Sequence, residues 1–223
     1  MSRLALSFSL ASVLAPVFAA EQGQLDGSPS LFSVLAAINA AGYDADINST
    51  ANHPAREAVR RHLAARRLPV VEELKKFFAA HKQANATAEL SQYVSFALSV
   101  DGPPDFKFRF RTLDLPPDVV PLQSLPALMK RFHAEAGIDE LWRQSQPALD
   151  QALERYHEPV AAAVLEVNAY LRNATSGYLG RRFQITIDLL GAPHQIQTRS
   201  YADDYFVVLT PSPEPQIDDV RHA

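Results

Sequence analysis

The hydrophobic pattern of the chain changes period once, and this change constrains the fold more than any other feature. Between residues 28 and 173, apolar side chains recur every three or four positions, as on one face of an α-helix. From Arg181 onward they alternate with period two, as in a half-buried strand. Helices first and strands afterwards predict an α+β fold. We expect a mainly α-helical N-terminal region, then a small antiparallel β element and the start of a further helix.

The helical region begins with four short predicted helices. The first starts in a cap region at Ser28 and Ser30, and the second opens at His53-Pro54, where the missing N–H of a first-turn proline costs nothing. The third starts at Pro69 and the fourth near Thr87. Because the links between these helices are brief, they predict an antiparallel helical array.

The longest periodic run extends from Ile138 to Leu171. Its apolar positions keep the helical phase throughout, but Pro147 and Pro159 lie inside it. A proline within a helix removes one hydrogen bond and clashes with the preceding turn. We therefore expect kinks or a break in this helix.

Two segments of the C-terminal part have the composition of strands. Residues 183–189 alternate cleanly, whereas residues 205–209 are apolar almost throughout and predict a central or doubly buried strand. Residues 195–198 are a candidate partner strand. Residues 217–223 resemble a helix start with too little length to sustain it, so we expect the natural chain to continue past Ala223.

The first twenty residues have the layout of a secretory signal peptide. Arg3 is followed by an uncharged apolar stretch to Phe18, and small residues precede a cleavage point at Ala19 or Ala20. This stretch is shorter than the roughly 20 apolar residues that span a bilayer. We expect a periplasmic or secreted bacterial protein without a stable membrane anchor after cleavage. The predicted organisation is a signal peptide (1–20), a helical domain (21–175) and a β element with an incipient helix (176–223), the start of a second subdomain.

Composition excludes several classes of function. The chain has no cysteine, which excludes disulfides, thiolate nucleophiles and cysteine-ligated metals. Its 21 basic and 25 acidic residues give a net charge of −4, which argues against a nucleic-acid partner.

Residues 106–111 alternate phenylalanine with lysine or arginine. At this net charge the alternation predicts a short amphipathic strand or arm with one packed face, not a nucleic-acid platform.

Five arginines lie within twelve residues, at positions 56, 60, 61, 66 and 67. Guanidinium groups bind carboxylates and phosphates through paired hydrogen bonds. Arg56, Arg60 and Arg61 are therefore candidate anion-binding residues, and Arg67 and Lys75 are candidates to extend the site in the fold. The alternative is a solvated helical face paired with acidic residues elsewhere.

His222 lies about one turn into the predicted last helix, after the strands. This order resembles the entry to the metal helix of the gluzincin metallopeptidases, in which an edge strand precedes H-E-x-x-H and the histidines bind zinc. The resemblance implies His222 as one ligand of an incomplete zinc site. It also implies a strand beside which a substrate peptide lies, here with Tyr205, Val207 and Leu209. Ala223 stands where the catalytic Glu would be, which predicts an inactive version.

Two functions follow as expectations. The first is an exported bacterial protein that forms the N-terminal portion of a gluzincin-like metallopeptidase relative, with a peptide or protein substrate. Any activity would be that of a zinc metallopeptidase-like hydrolase, with zinc as the cofactor of the full-length protein. We expect no cofactor and no activity in this portion alone. The second is a non-enzymatic periplasmic binding or interaction module that uses the arginine-rich helix or the 106–111 arm.

Overall fold

The computed structural model describes residues 25–42, 46, 48–171, 182–193, 195–201 and 204–211. Its helices are α1 (Pro29–Ala40), α2 (Pro54–Ala64), α3 (Pro69–Ala80), α4 (Ala86–Leu98), α5 (Leu125–Ala136) and α6 (Ile138–Leu171). Its strands are β1 (Leu25–Gly27), β2 (Arg182–Ile187), β3 (Ile196–Tyr201) and β4 (Asp204–Leu209). These elements confirm the α+β class with a mainly helical N-terminal region. The predicted signal peptide, the incipient helix and His222 lie outside the described residues.

The helix starts follow from their capping residues. Ser28 Oγ accepts the Leu31 amide at 3.2 Å at the start of α1, and Asn85 Oδ1 accepts the Ala88 amide at 2.9 Å at the start of α4. The Nδ1 of His53 accepts the Ala55 amide at 3.1 Å, directly before the Pro54 that begins α2. Local sequence therefore fixes where these helices begin.

The sheet is mixed, with the strand order β1-β2-β4-β3. The β1–β2 and β2–β4 pairs are parallel, and only β3 and β4 pair in antiparallel fashion. The expectation of an antiparallel element is therefore wrong for the pairing of β2. This strand pairs in parallel with β4, and β3 lies on the opposite side of β4 from β2. Leu25–Gly27 add an edge strand to the sheet by pairing with β2.

The two faces of the sheet pack on different helices. Ile185, Ile187, Val207 and Leu209 point to one face and pack with buried residues of α6. Phe206 and Val208 point to the other face and join the larger core that α1 to α5 build. The sheet therefore lies between α6 and the helical array. This arrangement confirms the expectation that β4 is a central, buried strand.

Helix α6 continues through Pro147 and Pro159 without a break. Of the expected kinks or break, the break is therefore absent from the described helix. Leu149, Ala152, Tyr156, Val160 and Ala163 recur at helical spacing and are buried against the sheet. The burial of this apolar stripe offsets the hydrogen bonds that the two prolines remove.

Residues 106–111 form an arm outside the sheet, held by an isolated bridge between Val100 and Phe108. Phe106 is fully buried and Phe108 is half-buried, whereas Lys107, Arg109 and Arg111 are exposed. The arm therefore packs one face at Phe106 and Phe108, but this face ends before Phe110, which is exposed. Within the described residues, no helix has the length and apolar character needed to cross a membrane.

Candidate anion-binding site

Arg56 is a core residue, which corrects its prediction as an anion ligand. It lies on the inner face of α2, and its side chain is only 1% exposed. Its Nη1 donates to Asn52 Oδ1 at 2.7 Å, and its charge lowers the pKa of the buried Asp188. A guanidinium enclosed in this way has no surface to offer an external anion.

Asp188 directly follows β2 and is itself buried. Burial raises the pKa of this carboxyl to about 6, although hydrogen bonds from the Leu190 and Gly191 amides and from Thr210 oppose the increase, as does the charge of Arg56. The Leu190 amide donates at 2.8 Å and the Thr210 hydroxyl at 3.4 Å. This polar cluster links α2 to the carboxyl edge of the sheet, so its role is structural.

Arg61 is also outside the candidate site. It is exposed and forms an ion pair with Glu57 one turn earlier, with 2.8 Å between Nη2 and Oε1. An exposed pair of this kind matches the alternative of a solvated helical face.

Arg60 lines an open groove between the end of α1, α2 and α3. The groove has a volume of about 620 Å³ and a partly apolar floor with Leu63, Leu68 and Val71. Four cationic residues border it: Arg60, Arg66, Arg67 and Lys75. Glu72 is the one acidic residue among the described residues that line it. The groove therefore concentrates positive charge around a concave, partly apolar surface.

Two of these cations are held in place by protein groups. Arg66 Nη1 donates to the carbonyl oxygen of Ala136 at 2.9 Å, which anchors its guanidinium to the end of α5. Lys75 Nζ donates to Glu72 Oε1 at 2.8 Å. Cations whose positions are already fixed lose less conformational entropy when a ligand binds.

Arg60, Arg67 and Lys75, the candidates to extend the site in the fold, line this one depression. Arg66 belongs to the arginine cluster in the sequence but was not among those candidates, and it lies beside Arg67 in the loop between α2 and α3. The run of arginines past the end of α2 was the available signal.

The 106–111 arm provides no comparable site. Its cations are each paired with a nearby acid: Lys107 with Asp105, Arg109 with Asp101 and Arg111 with Asp114. These pairs neutralise the arm's charge locally. Of the two basic segments singled out in the sequence, the arginine-rich one therefore has the better geometry for an anion.

The predicted peptide-binding strand is corrected by the sheet order. Tyr205, Val207 and Leu209 lie on β4, which pairs with β2 along one edge and β3 along the other. A peptide joins a sheet by pairing with a free strand edge, and both edges of β4 are occupied. Val207 and Leu209 are in addition buried against α6.

The described residues contain no group of three or more histidine, aspartate or glutamate side chains placed to hold a metal ion. His222, the predicted zinc ligand, is outside the described residues. No protein family, curated protein or solved structure matched the chain in comparison. The candidate site therefore rests on the geometry of the groove.

Proposed function

We propose that the chain is an exported, non-enzymatic binding protein that takes a small carboxylate- or phosphate-containing ligand into the groove between α1, α2 and α3. The observation that carries the proposal is that, among the described residues, four cations and one carboxylate surround a depression of about 620 Å³. This volume is within the roughly 300–1,000 Å³ of small-molecule pockets. Export is supported by the sequence of residues 1–20 alone.

Arg60 and Arg67 are the residues proposed to contact the anion. Arg60 is partly buried beside the apolar floor, where lower solvent screening strengthens a charge-assisted hydrogen bond. Arg67 lies on the exposed rim of the same groove. Arg66 supplies positive potential from a position anchored by the Ala136 carbonyl, and the Lys75–Glu72 ion pair borders the same groove.

Calorimetric titration with inorganic phosphate at low ionic strength tests the proposal. We expect saturable binding that weakens as salt is added, and a loss of at least tenfold in affinity in the double variant Arg60→Gln with Arg67→Gln. The matched control is Arg61→Gln with Arg109→Gln, which removes the same charge from paired residues outside the groove. An equal loss in the control would show a general charge effect and contradict the proposal.

A further inference from the structure

A smaller apolar cavity adjoins the groove. It lies between the end of α1, α3 and the start of α4, and its volume is about 290 Å³. Ile38, Phe78, Leu90 and Tyr93 form its walls, with the Phe78 and Tyr93 rings edge to face at 4.8 Å between centroids. The cavity therefore offers a preformed apolar surface to a ligand.

Two residues border both the cavity and the groove, namely Gly42 and Lys75. Among the described residues, no atom lies within 4 Å of where a Cβ at Gly42 would stand. The ammonium of Lys75 is held by Glu72 at the groove, which leaves its aliphatic stem as a shared wall. The groove and the cavity therefore meet at these two residues.

The charges of the cavity orient such a ligand. Of the described residues, two cations, Lys75 and Lys82, and one carboxylate, Glu89, line the cavity, against four cations and one carboxylate at the groove. Burial, and then the Glu89 carboxylate, raise the pKa of the Tyr93 hydroxyl. A second negative charge is disfavoured near Glu89, whereas the groove carries an excess of cations. The anionic end therefore belongs in the groove and the apolar end in the cavity.

We propose that the ligand is an amphiphilic anion, with a carboxylate or phosphate head held by Arg60 and Arg67 and a short apolar chain in the cavity behind Gly42 and Lys75. This inference rests on the proposed function and specifies its ligand class. A cavity of about 290 Å³ is near the lower limit of ligand pockets, so it matches one short chain.

The experiment is a calorimetric comparison of inorganic phosphate, propyl phosphate and hexyl phosphate. Each methylene that enters the cavity should improve affinity about fourfold. Ala79 lines the cavity, so Ala79→Phe should remove the gain with chain length and leave phosphate binding unchanged. Ala80 is the neighbouring exposed residue of α3 and does not line it, so Ala80→Phe should keep the gain. Ala86→Leu blocks the cavity from α4 and serves as a second variant.

The outcomes separate the two proposals. One outcome is that the native protein binds all three phosphates with equal affinity, and that the double variant Arg60→Gln with Arg67→Gln binds each of them more weakly. The groove then binds anions, but the amphiphile inference is wrong. A chain-length gain that survives both Ala79→Phe and Ala86→Leu would also overturn it. If no probe binds, both proposals fail. Anionic phospholipid vesicles form a separate arm, and binding to vesicles without binding to hexyl phosphate would overturn the short-chain ligand.

Discussion

The buried guanidinium of Arg56 on α2 lowers the pKa of the buried carboxyl of Asp188, yet that pKa remains raised from 3.8 to about 6. Burial disfavours the charged carboxylate more strongly than Arg56 and the surrounding hydrogen bonds favour it. This relationship joins the helical array to the sheet, and it makes the stability of the fold depend on pH in a defined direction.

In the native protein, the contribution of Asp188 to the free energy of unfolding declines as the pH rises from about 4 to about 6. We expect Asp188→Asn to abolish this pH-dependent contribution. Because the folded-state pKa is raised, Asp188 contributes stability fully below pH 3.8 and loses it as pH rises through about 6. The shift of about two units corresponds to about 3 kcal/mol. Urea unfolding from pH 3.5 to 7 should show the variant gaining stability relative to the native protein across that interval. A pH-independent difference would contradict the prediction.

We expect Arg56→Met to lower the free energy of unfolding by about 3–5 kcal/mol at pH 7, because it leaves the Asp188 carboxylate buried without its opposite charge. The loss should be smaller at pH 4, where Asp188 is largely protonated. Arg61→Met is the matched control on the same helix, and its unfolding midpoint should stay near that of the native protein because its ion pair is exposed. Equal losses in both variants would show that burial of Arg56 is not the reason.

The sequence predicted α1 to α4 because each has a capping residue or a first-turn proline at its start, and α6 because its apolar residues keep the helical period. It did not predict the parallel pairing of β2 and β4, because alternation sets which side chains share a face and carries no information on strand direction. Parallel pairing places the carboxyl ends of both strands at one edge, where Asp188 and Thr210 meet. The antiparallel expectation separates these two ends, so this cluster could not be predicted.

The candidate site, too, was predicted only in part from the sequence. The cluster of arginines was visible there, but whether each one is buried or borders the groove depends on the direction in which its side chain points. Arg56 and Arg60 are four residues apart and neighbours on the helix surface, yet Arg56 is enclosed by the core and Arg60 borders the groove. Tertiary packing determines which of the two arginines is buried, and a helical wheel of α2 alone does not show this packing.

Zinc competition tests the gluzincin-like interpretation, which stays a prediction. A zinc-binding dye titrated with the native protein and with His222→Ala should give the same curve, with no tight site in either. Zinc sites need three or four protein ligands, and the predicted last helix supplies one. Zinc capture by the native protein that His222→Ala abolishes would contradict this expectation and favour the metallopeptidase relationship.

The contact between α6 and β1 permits a sharper test of the fold. Gly27 lies directly against Leu149, since a Cβ added at Gly27 would be 2.3 Å from Leu149 Cδ2. Leu149→Ala should therefore cost about 2–5 kcal/mol through the cavity it leaves, and Gly27→Ala alone should destabilise by overpacking. Leu165→Ala, at an exposed position of the same helix, is the control and should have little effect.

The double variant decides whether these two residues share one packing site. In the Leu149→Ala background, the new methyl at position 27 no longer clashes and enters the space that the leucine leaves. We expect Gly27→Ala with Leu149→Ala to be more stable than the sum of the single variants predicts, with a coupling energy of about 1–3 kcal/mol in urea unfolding. Additive losses would show that β1 does not pack on α6 as described, and the edge strand would then lose its support.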